Sequence, residues 1–209
     1  MAAMADHYFS TSPSSRSDER RIDVVLPDVS YVLTTDRGVF SHGRLDTGTA
    51  LLLRTAPAPP PDGDLLDLGC GAGPIALAMG LRAPGATVWA VDTNPRAVQL
   101  TAANAAANGI SNVRAVAPGD VPDDVRFAAI WSNPPIRVGK DALHDLLLRW
   151  LGRLRPGAHA TIVVQRHLGA DSLQRWLAAE LDESFTVSRE STSKSFRILK
   201  VRKASRLPQ

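Results

Sequence analysis

The sequence has one cysteine, few aromatic residues and no long apolar run. Because Cys70 has no second cysteine to pair with, an intrachain disulfide framework is excluded and a reducing compartment is expected. No stretch approaches the roughly 20 apolar residues that a membrane-spanning helix needs, and the first residues lack the basic and apolar regions of a secretion signal. The histidines show no ligand spacing, so a metal site is not expected. These absences predict a cytoplasmic protein that binds neither a membrane nor a metal.

Length and charge set the outer bounds of the molecule. The 209 residues suffice for one well-buried domain with extra material at the ends. With 44% hydrophobic and 22% charged residues, the composition is that of an ordinary soluble protein. The formal net charge of +3 permits an acidic partner without requiring one. A monomer is the simplest expectation, although the sequence does not set the oligomeric state.

The order of elements predicts an α/β fold. Residues 1–21 are expected to form a polar arm with an aromatic anchor, residues 22–61 an accessory layer of a β-hairpin and a helix, residues 62–203 the core, and residues 204–209 a frayed tail. In the core, strands and helices alternate, which predicts a mostly parallel sheet with helices on both faces and an antiparallel end. The predicted core strands are Leu65–Leu68, Ala86–Val91, Val113–Val116, Phe127–Trp131, Ala160–Val164, Phe185–Arg189 and Phe196–Val201. The predicted helices are Ala50–Ala56, Pro74–Arg82, Pro95–Asn108, Asp141–Leu154 and Ser172–Leu181.

A glycine-rich turn, Asp67-Leu68-Gly69-Cys70-Gly71-Ala72-Gly73, lies between the first core strand and its helix. Glycines let the backbone turn sharply and let a ligand approach the main chain, and the helix N-terminus adds free N–H groups and a partial positive charge. A purely structural turn and a dinucleotide site both remain open. The Gly-x-Gly-x-Gly spacing, with an aspartate two residues before its first glycine, favours a ligand with a cationic centre and no pyrophosphate, such as S-adenosylmethionine.

Aspartates also follow the next two predicted strands. Asp92 ends the second core strand about 20 residues beyond the turn, where a carboxylate can accept hydrogen bonds from both ribose hydroxyls of a nucleoside. It could equally cap the helix that follows Asn94. Asp120 follows the third strand, where it could accept from an adenine amino group or simply form a turn.

The segment Ser132-Asn133-Pro134-Pro135-Ile136 ends the fourth core strand, beside the first. Its prolines stiffen the chain and hold the Asn133 side chain and the Pro134 carbonyl toward a ligand at the sheet edge. Each of these carbonyl oxygens can accept one N–H of an amino group, which directs the nitrogen lone pair at a methyl group. Because a sulfonium supplies the leaving group, catalysis is mostly positioning and electrostatics, without a strong general base. The segment therefore predicts methylation of an amino nitrogen.

Together these motifs resemble the small-domain branch of the class I S-adenosylmethionine-dependent methyltransferases, and within it the bacterial ribosomal-RNA guanine-N2 methyltransferases that act on the small subunit. The resemblance covers nearly the whole chain, including Gly38-Val39-Phe40-Ser41, Leu45-Asp46-x-Gly48-Thr49 and Asn133-Pro134-Pro135-Ile136-Arg137-x-Gly139-Lys140. It implies a Rossmann-like class I fold with a seven-stranded sheet and a short N-terminal hairpin. It also implies S-adenosylmethionine as cofactor and ribosomal RNA or the small ribosomal subunit as partner.

The resemblance implies roles for individual residues as well. Asn133 and Pro134 would be catalytic, because they would orient the target nitrogen. The implied substrate contacts are Phe40, Pro135, Ile136, Arg137 and Lys140. The implied cofactor contacts are Asp46, Gly48, Asp67, Gly69, Cys70, Gly71, Gly73, Asp92, Thr93, Asp120, Val121 and Asn133.

Two departures from the family pattern leave the substrate open. Long members carry an additional N-terminal domain, for which this chain has no room. Ile136 stands where N6-adenine and glutamine-amide methyltransferases usually have an aromatic residue, so Phe40, Tyr8 or Phe9 would have to stack on a target base. N6-adenine of RNA or DNA and a protein glutamine therefore remain alternative substrates. A non-catalytic binding module is the alternative of another class, and the intact Asn-Pro-Pro sequence argues against it. Basic residues from Arg189 onward suit either a phosphate backbone or a solvated strand face.

Overall fold

The computed structural model describes residues 18–192 and 195–205. Within them, β1 (Arg20–Val25) and β2 (Ser30–Thr35) pair antiparallel and form the hairpin that the sequence predicts. The first strand begins at Arg20 rather than at the predicted Ile22, because Arg20 pairs in register with Thr35. One face of this ribbon packs on the core and the other faces solvent, as the alternation of its buried and exposed residues shows.

Seven further strands of the described residues form one sheet in the order β5-β4-β3-β6-β7-β9-β8. Their bounds are β3 Asp62–Leu68, β4 Gly85–Val91, β5 Val113–Val116, β6 Phe127–Ser132, β7 Leu154–Gln165, β8 Phe185–Thr192 and β9 Phe196–Lys203. The five strands from β3 to β7 are parallel, whereas β9 runs antiparallel to both β7 and β8. The predicted seven-stranded, mostly parallel sheet is confirmed. The strand order reverses at β3, between β4 and β6, so the expected ligand crevice lies outside the carboxyl ends of these strands.

Helices cover both faces of the sheet, also as predicted. Their bounds are α1 Thr47–Thr55, α2 Pro74–Arg82, α3 Pro95–Ala107, α4 Lys140–Leu151 and α5 Ala170–Glu180. The hairpin and α1, α2 and α3 contribute to one buried apolar cluster, whereas α4 and α5 contribute to a second on the opposite face. Within the described ranges, none of these helices combines the length and the apolar character of a membrane span.

The hairpin is fixed to the core by two asparagines, Asn104 in α3 and Asn108 directly after it. Asn104 accepts from the backbone N–H of Thr34 and donates to its carbonyl, at 2.9 and 2.8 Å. One helical turn later, Asn108 makes the same pair of hydrogen bonds to Val32, at 2.9 and 2.7 Å. These side chains pair with the backbone N–H and carbonyl groups at the edge of β2, as a neighbouring strand would, because each amide carries one donor group and one acceptor.

The start of α1 differs from the sequence prediction. The helix begins at Thr47 rather than at Ala50, because the Asp46 carboxylate caps it by accepting a hydrogen bond from the backbone N–H of Thr49 at 2.9 Å. Asp46 is thus tied to the N-terminus of α1, which places it at the same edge of the sheet as the carboxyl end of β6.

The junction of α4 with β7 also differs from the prediction. The helix ends at Leu151 rather than at Leu154, and β7 starts at Leu154 rather than at Ala160. The reason is tertiary, since the Arg153 carbonyl accepts from the backbone N–H of Phe127 at 2.9 Å and draws this stretch into the sheet. Near the other end of the chain, Ala204 was expected to lie in the frayed tail, but its backbone N–H donates to the Ser184 carbonyl at 2.7 Å and its carbonyl accepts from Gly157 of β7 at 3.2 Å.

Candidate active site

A cleft of about 660 Å³ opens at the carboxyl ends of β3, β4 and β6. Four segments supply most of its wall: residues 38–41, the turn at Gly69, residues 91–94 and residues 133–136. Parallel strands bring their carboxyl ends to one edge, which is why segments far apart in sequence meet here. A smaller pocket beside it reaches under the glycine turn toward Cys70 and Gly71.

The glycine turn has two sides with different roles. Gly69 lines the cleft in a left-handed conformation, φ 77°, that other residues rarely adopt. Gly73, φ 89°, lies on the far side, where an added Cβ would come within 2.8 Å of Thr101 on α3. Cys70 is also buried against Thr101, and burial raises the pKa of its thiol well above the usual value. Gly69 therefore offers close backbone approach, whereas Gly73 packs the turn against α3.

The Asp67 carboxyl group lies behind the turn, outside the wall of either cavity. Its Oδ2 accepts a hydrogen bond from the backbone N–H of Ala76 at 2.9 Å and so satisfies a free donor in the first turn of α2. Its Oδ1 is buried and has no hydrogen-bond partner among the described residues. Burial raises the pKa of Asp67 to about 8. The structure thus does not bring the Asp67 carboxylate to the cleft, where the sequence analysis expected it to meet a cationic ligand.

Asp92, in contrast, lines the cleft with a carboxylate held in one orientation. Its Oδ2 accepts from the backbone N–H of Gly71 at 3.0 Å, and its Oδ1 accepts from that of Asn94 at 2.9 Å. Asn94, rather than Asp92, is the capping residue of α3. Each Asp92 oxygen retains acceptor capacity toward the cleft, although burial raises the pKa of the group. Thr93 lies next to it on the wall and is exposed.

Asn133 lies directly after β6 with both protons of its amide nitrogen engaged. Its Nδ2 donates to Asp46 Oδ2 at 2.9 Å and to Thr49 Oγ1 at 3.0 Å. Because the nitrogen end of the amide is saturated, the carbonyl oxygen Oδ1 is the group that remains for a ligand in the cleft. This arrangement supplies an acceptor on the cleft wall, as the sequence analysis requires.

The Pro134 carbonyl is held by the turn that follows it. It accepts from the backbone N–H of Ile136 at 2.8 Å, and Pro135 between them has φ −74° and ψ 76°, an inverse γ-turn. A carbonyl oxygen has two lone pairs, so one remains for a ligand. Pro135 and Ile136 both line the cleft.

Several predicted site residues lie away from the cleft wall. Asp120 is exposed in the turn after β5 and Val121 is buried in the core, while Pro118 takes their place on the wall. Gly48 packs α1 on β9, since an added Cβ would meet the Phe196 ring at 2.8 Å. Lys140 is exposed at the start of α4. Tyr8, Phe9 and the side chain of Arg137 lie outside the described part of the chain.

The structure also adds cleft residues that the sequence analysis missed. Gln165 and Phe196 reach the wall from paired positions on β7 and β9. Arg44 lines both cavities, and its exposed guanidinium forms no ion pair with the residues described here. Phe40, which the sequence analysis did select, lines the cleft with 43% of its surface exposed. The only sequence signal for Arg44 is its position between two motif segments, and Gln165 and Phe196 have none.

Comparison with known proteins identifies the family of the chain. The family model described as methyltransferase small domain matches residues 30–200. The uncharacterized protein YbxB of Bacillus subtilis is 35% identical over 204 residues, which cover 96% of this chain and all of that protein. The ribosomal RNA small subunit methyltransferase C of Pseudomonas aeruginosa is 36% identical over 171 residues, covering 75% of this chain and 51% of that protein. The chain thus spans about half the length of such named relatives.

Solved structures share the fold. The 16S rRNA N2 G1207 methyltransferase of T. thermophilus, solved in complex with AdoMet and guanosine, aligns with a TM-score of 0.73 at 22% identity. The alignment covers 92% of this chain and 52% of that one. An rRNA methylase from Streptococcus thermophilus aligns with a TM-score of 0.55 at 17% identity, covering 70% of this chain and 90% of that one.

Proposed function

The chain belongs to the methyltransferase small domain family, and from that premise we propose that it transfers a methyl group from S-adenosylmethionine to the N2 amino group of a guanine in small-subunit ribosomal RNA. The acceptor pair at Asn133 and Pro134 is the observation that carries this proposal. The names of relatives and of a structural neighbour support the choice of guanine and of small-subunit RNA. We propose a cytoplasmic location as well, since the proposed substrate is part of the ribosome.

The cleft fits the cofactor in size and in chemistry. Its volume of about 660 Å³ lies within the range of roughly 300–1,000 Å³ that is usual for small-molecule sites. Asp92 would hold the ribose hydroxyls with its fixed carboxylate, and Gly69 would let the methionine part approach the backbone. Arg44 carries the charge that pairs with a carboxylate, and Pro118 offers an apolar surface to the adenine. The bound cofactor supplies a methyl group on a cationic sulfur, with a neutral thioether as leaving group.

The chain's own residues position the amino group that receives the methyl. Asn133 Oδ1 and the free lone pair of the Pro134 carbonyl would each accept one N–H of that group. The nitrogen lone pair would then be directed away from both acceptors, and the partial positive charge that develops on the nitrogen would be stabilised as transfer proceeds. The methylated nitrogen would afterwards release one proton to water. The Pro134 γ-turn and the contacts of the Asn133 amide hold these oxygens before the substrate arrives.

Phe40 supplies the ring that the Asn-Pro-Pro-Ile sequence lacks. It is 43% exposed on the cleft wall, so it offers a stacking surface to a base that leaves its helix. Ile136, on the same wall, supplies an apolar contact but no ring. Lys140 is an exposed cation that suits a phosphate flanking the target nucleotide. Arg189 contributes less, because its guanidinium pairs with Asp171 at 2.6 Å.

Methyl transfer with labelled cofactor tests this function. S-adenosylmethionine carrying a labelled methyl group is offered to small ribosomal subunits from cells that lack the protein, to free 16S RNA, to DNA and to translation factors. After digestion to nucleosides, the label is expected in N2-methylguanosine from one of the first two substrates. Label in N6-methyladenosine or in protein would reassign the acceptor, and no transfer to any substrate would favour a binding module.

A further inference from the structure

Asp46 joins two segments of the cleft through one of its carboxylate oxygens. A single carboxylate oxygen, Oδ2, accepts both from the backbone N–H of Thr49 and from the Asn133 side chain, each at 2.9 Å. The second of these bonds joins positions 87 residues apart. It therefore ties the N-terminus of α1 to the loop after β6, which carries the acceptor pair.

This contact fixes which end of the Asn133 amide faces the substrate. A carboxylate can only accept hydrogen bonds, so it selects the nitrogen end of the amide, and Thr49 Oγ1 takes the second proton at 3.0 Å. If the amide turned over, Oδ1 would face the Asp46 carboxylate and the NH₂ group would face the substrate amino group. Two donors would then oppose each other, and the nitrogen could not be held for transfer.

The packing around Asp46 keeps it in place. An added Cβ at Gly48 would lie 3.0 Å from Asp46 Oδ2 and 2.8 Å from the Phe196 ring of β9. The first turn of α1 therefore packs closely against both groups. Thr49 is 3% exposed, which shields its hydroxyl from water. Asp46 Oδ2 is thus held both by the backbone N–H of Thr49 and by the Asn133 amide.

We infer that Asp46 is a positioning residue for methyl transfer, which orients the Asn133 amide so that its oxygen accepts from the target amino group. This inference rests on the proposed function, and it differs from a cofactor contact, the role that the sequence resemblance implied. A positioning residue acts on turnover once both ligands are bound. A cofactor ligand acts on cofactor affinity.

Two substitutions of Asp46 separate these roles. Asp46→Ser keeps a helix-capping oxygen but is too short to reach Asn133, whereas Asp46→Asn keeps an acceptor of the same length at the position of Oδ2. We expect the serine variant to lose about a hundredfold in kcat, with its affinity for S-adenosylhomocysteine within about threefold of wild type. The kcat of the asparagine variant should be at least tenfold higher than that of the serine variant. Asp62→Asn, at the opposite edge of the sheet, controls for the loss of one charge.

A readout independent of turnover is hydrogen exchange of the Asn133 side-chain amide, followed by NMR. The serine variant should exchange at least tenfold faster than the wild type and the asparagine variant, because the acceptor is gone. The inference is overturned if the serine variant keeps its kcat and its slow exchange, or if cofactor affinity falls as far as kcat. If the wild type makes no N2-methylguanosine, the proposed function fails instead, and the exchange rates still show whether Asp46 holds the Asn133 amide.

Discussion

Replacing Asp92 by asparagine tests the cofactor site most sharply. Both carboxylate oxygens of Asp92 are aligned by backbone N–H groups, at 3.0 Å from Gly71 and 2.9 Å from Asn94. In Asp92→Asn, the new NH₂ group must face one of these donors and can no longer accept from a ribose hydroxyl. The loss is about one charge-assisted hydrogen bond, about 3 kcal/mol at most, which corresponds to roughly a hundredfold in Kd.

The assay is calorimetric titration with S-adenosylhomocysteine. Asp120→Asn is the matched control, because the same change is made at an exposed carboxylate that lies off the cleft wall. Its affinity should stay within about twofold of wild type. Thermal unfolding of both variants shows whether the glycine turn survives the change. An Asp92→Asn affinity within threefold of wild type, with the protein folded, would refute the ribose contact, and a weakened Asp120→Asn variant would restore the adenine contact that the sequence suggested.

Three further predictions follow from the site. Asn133→Ala should lower kcat about a hundredfold while leaving the affinity for S-adenosylhomocysteine within a few-fold of wild type. An equal loss of kcat and of affinity would show that Asn133 acts mainly as a cofactor ligand. Arg44→Met should weaken the binding of S-adenosylhomocysteine by about twofold to fivefold, as for a partly exposed ion pair. The binding of methylthioadenosine, which lacks the carboxylate, should not change, and equal losses for both ligands would contradict this role. Burial raises the folded-state pKa of Asp67 from the usual 3.8 to about 8, so the folded state holds a proton that the unfolded state releases. The free energy of unfolding should therefore fall as pH rises from about 4 to 8; Asp67→Asn should flatten this slope in urea titrations, and an unchanged slope would contradict the assignment.

The fold could be predicted because its signals are local. Alternating strand and helix patterns define the parallel sheet, and the hairpin before it has its own turn. The bounds that were missed depend on tertiary contacts. Asp46 starts α1 earlier than composition suggests, and a backbone bond to Phe127 ends α4 early and starts β7 at Leu154. Residue preferences alone cannot show such contacts.

The site was predictable where its residues directly follow parallel strands. Gly69, Asp92 and Asn133 share one sheet edge for that reason. The Asp67 carboxyl group was misplaced because β3 is buried on both faces, so hydrophobic periodicity does not show which face a side chain takes.

Two residues, Gln165 and Phe196, and one contact of the predicted residue Asp46 were missed by sequence reasoning for a different cause. Gln165 and Phe196 meet only through the antiparallel pairing of β7 with β9, and Asp46 meets Asn133 across 87 residues. No local sequence pattern predicts these contacts, because each depends on how separate elements pack.

We propose that this chain methylates guanine N2 in small-subunit ribosomal RNA. The most direct measurement is mass spectrometry of nucleosides from the 16S RNA of cells with and without the gene. N2-methylguanosine should fall without the gene and return when the wild-type gene is restored, but not when the gene for the Asn133→Ala variant is supplied instead. Unchanged N2-methylguanosine, or a loss confined to another methylated nucleoside, would contradict it.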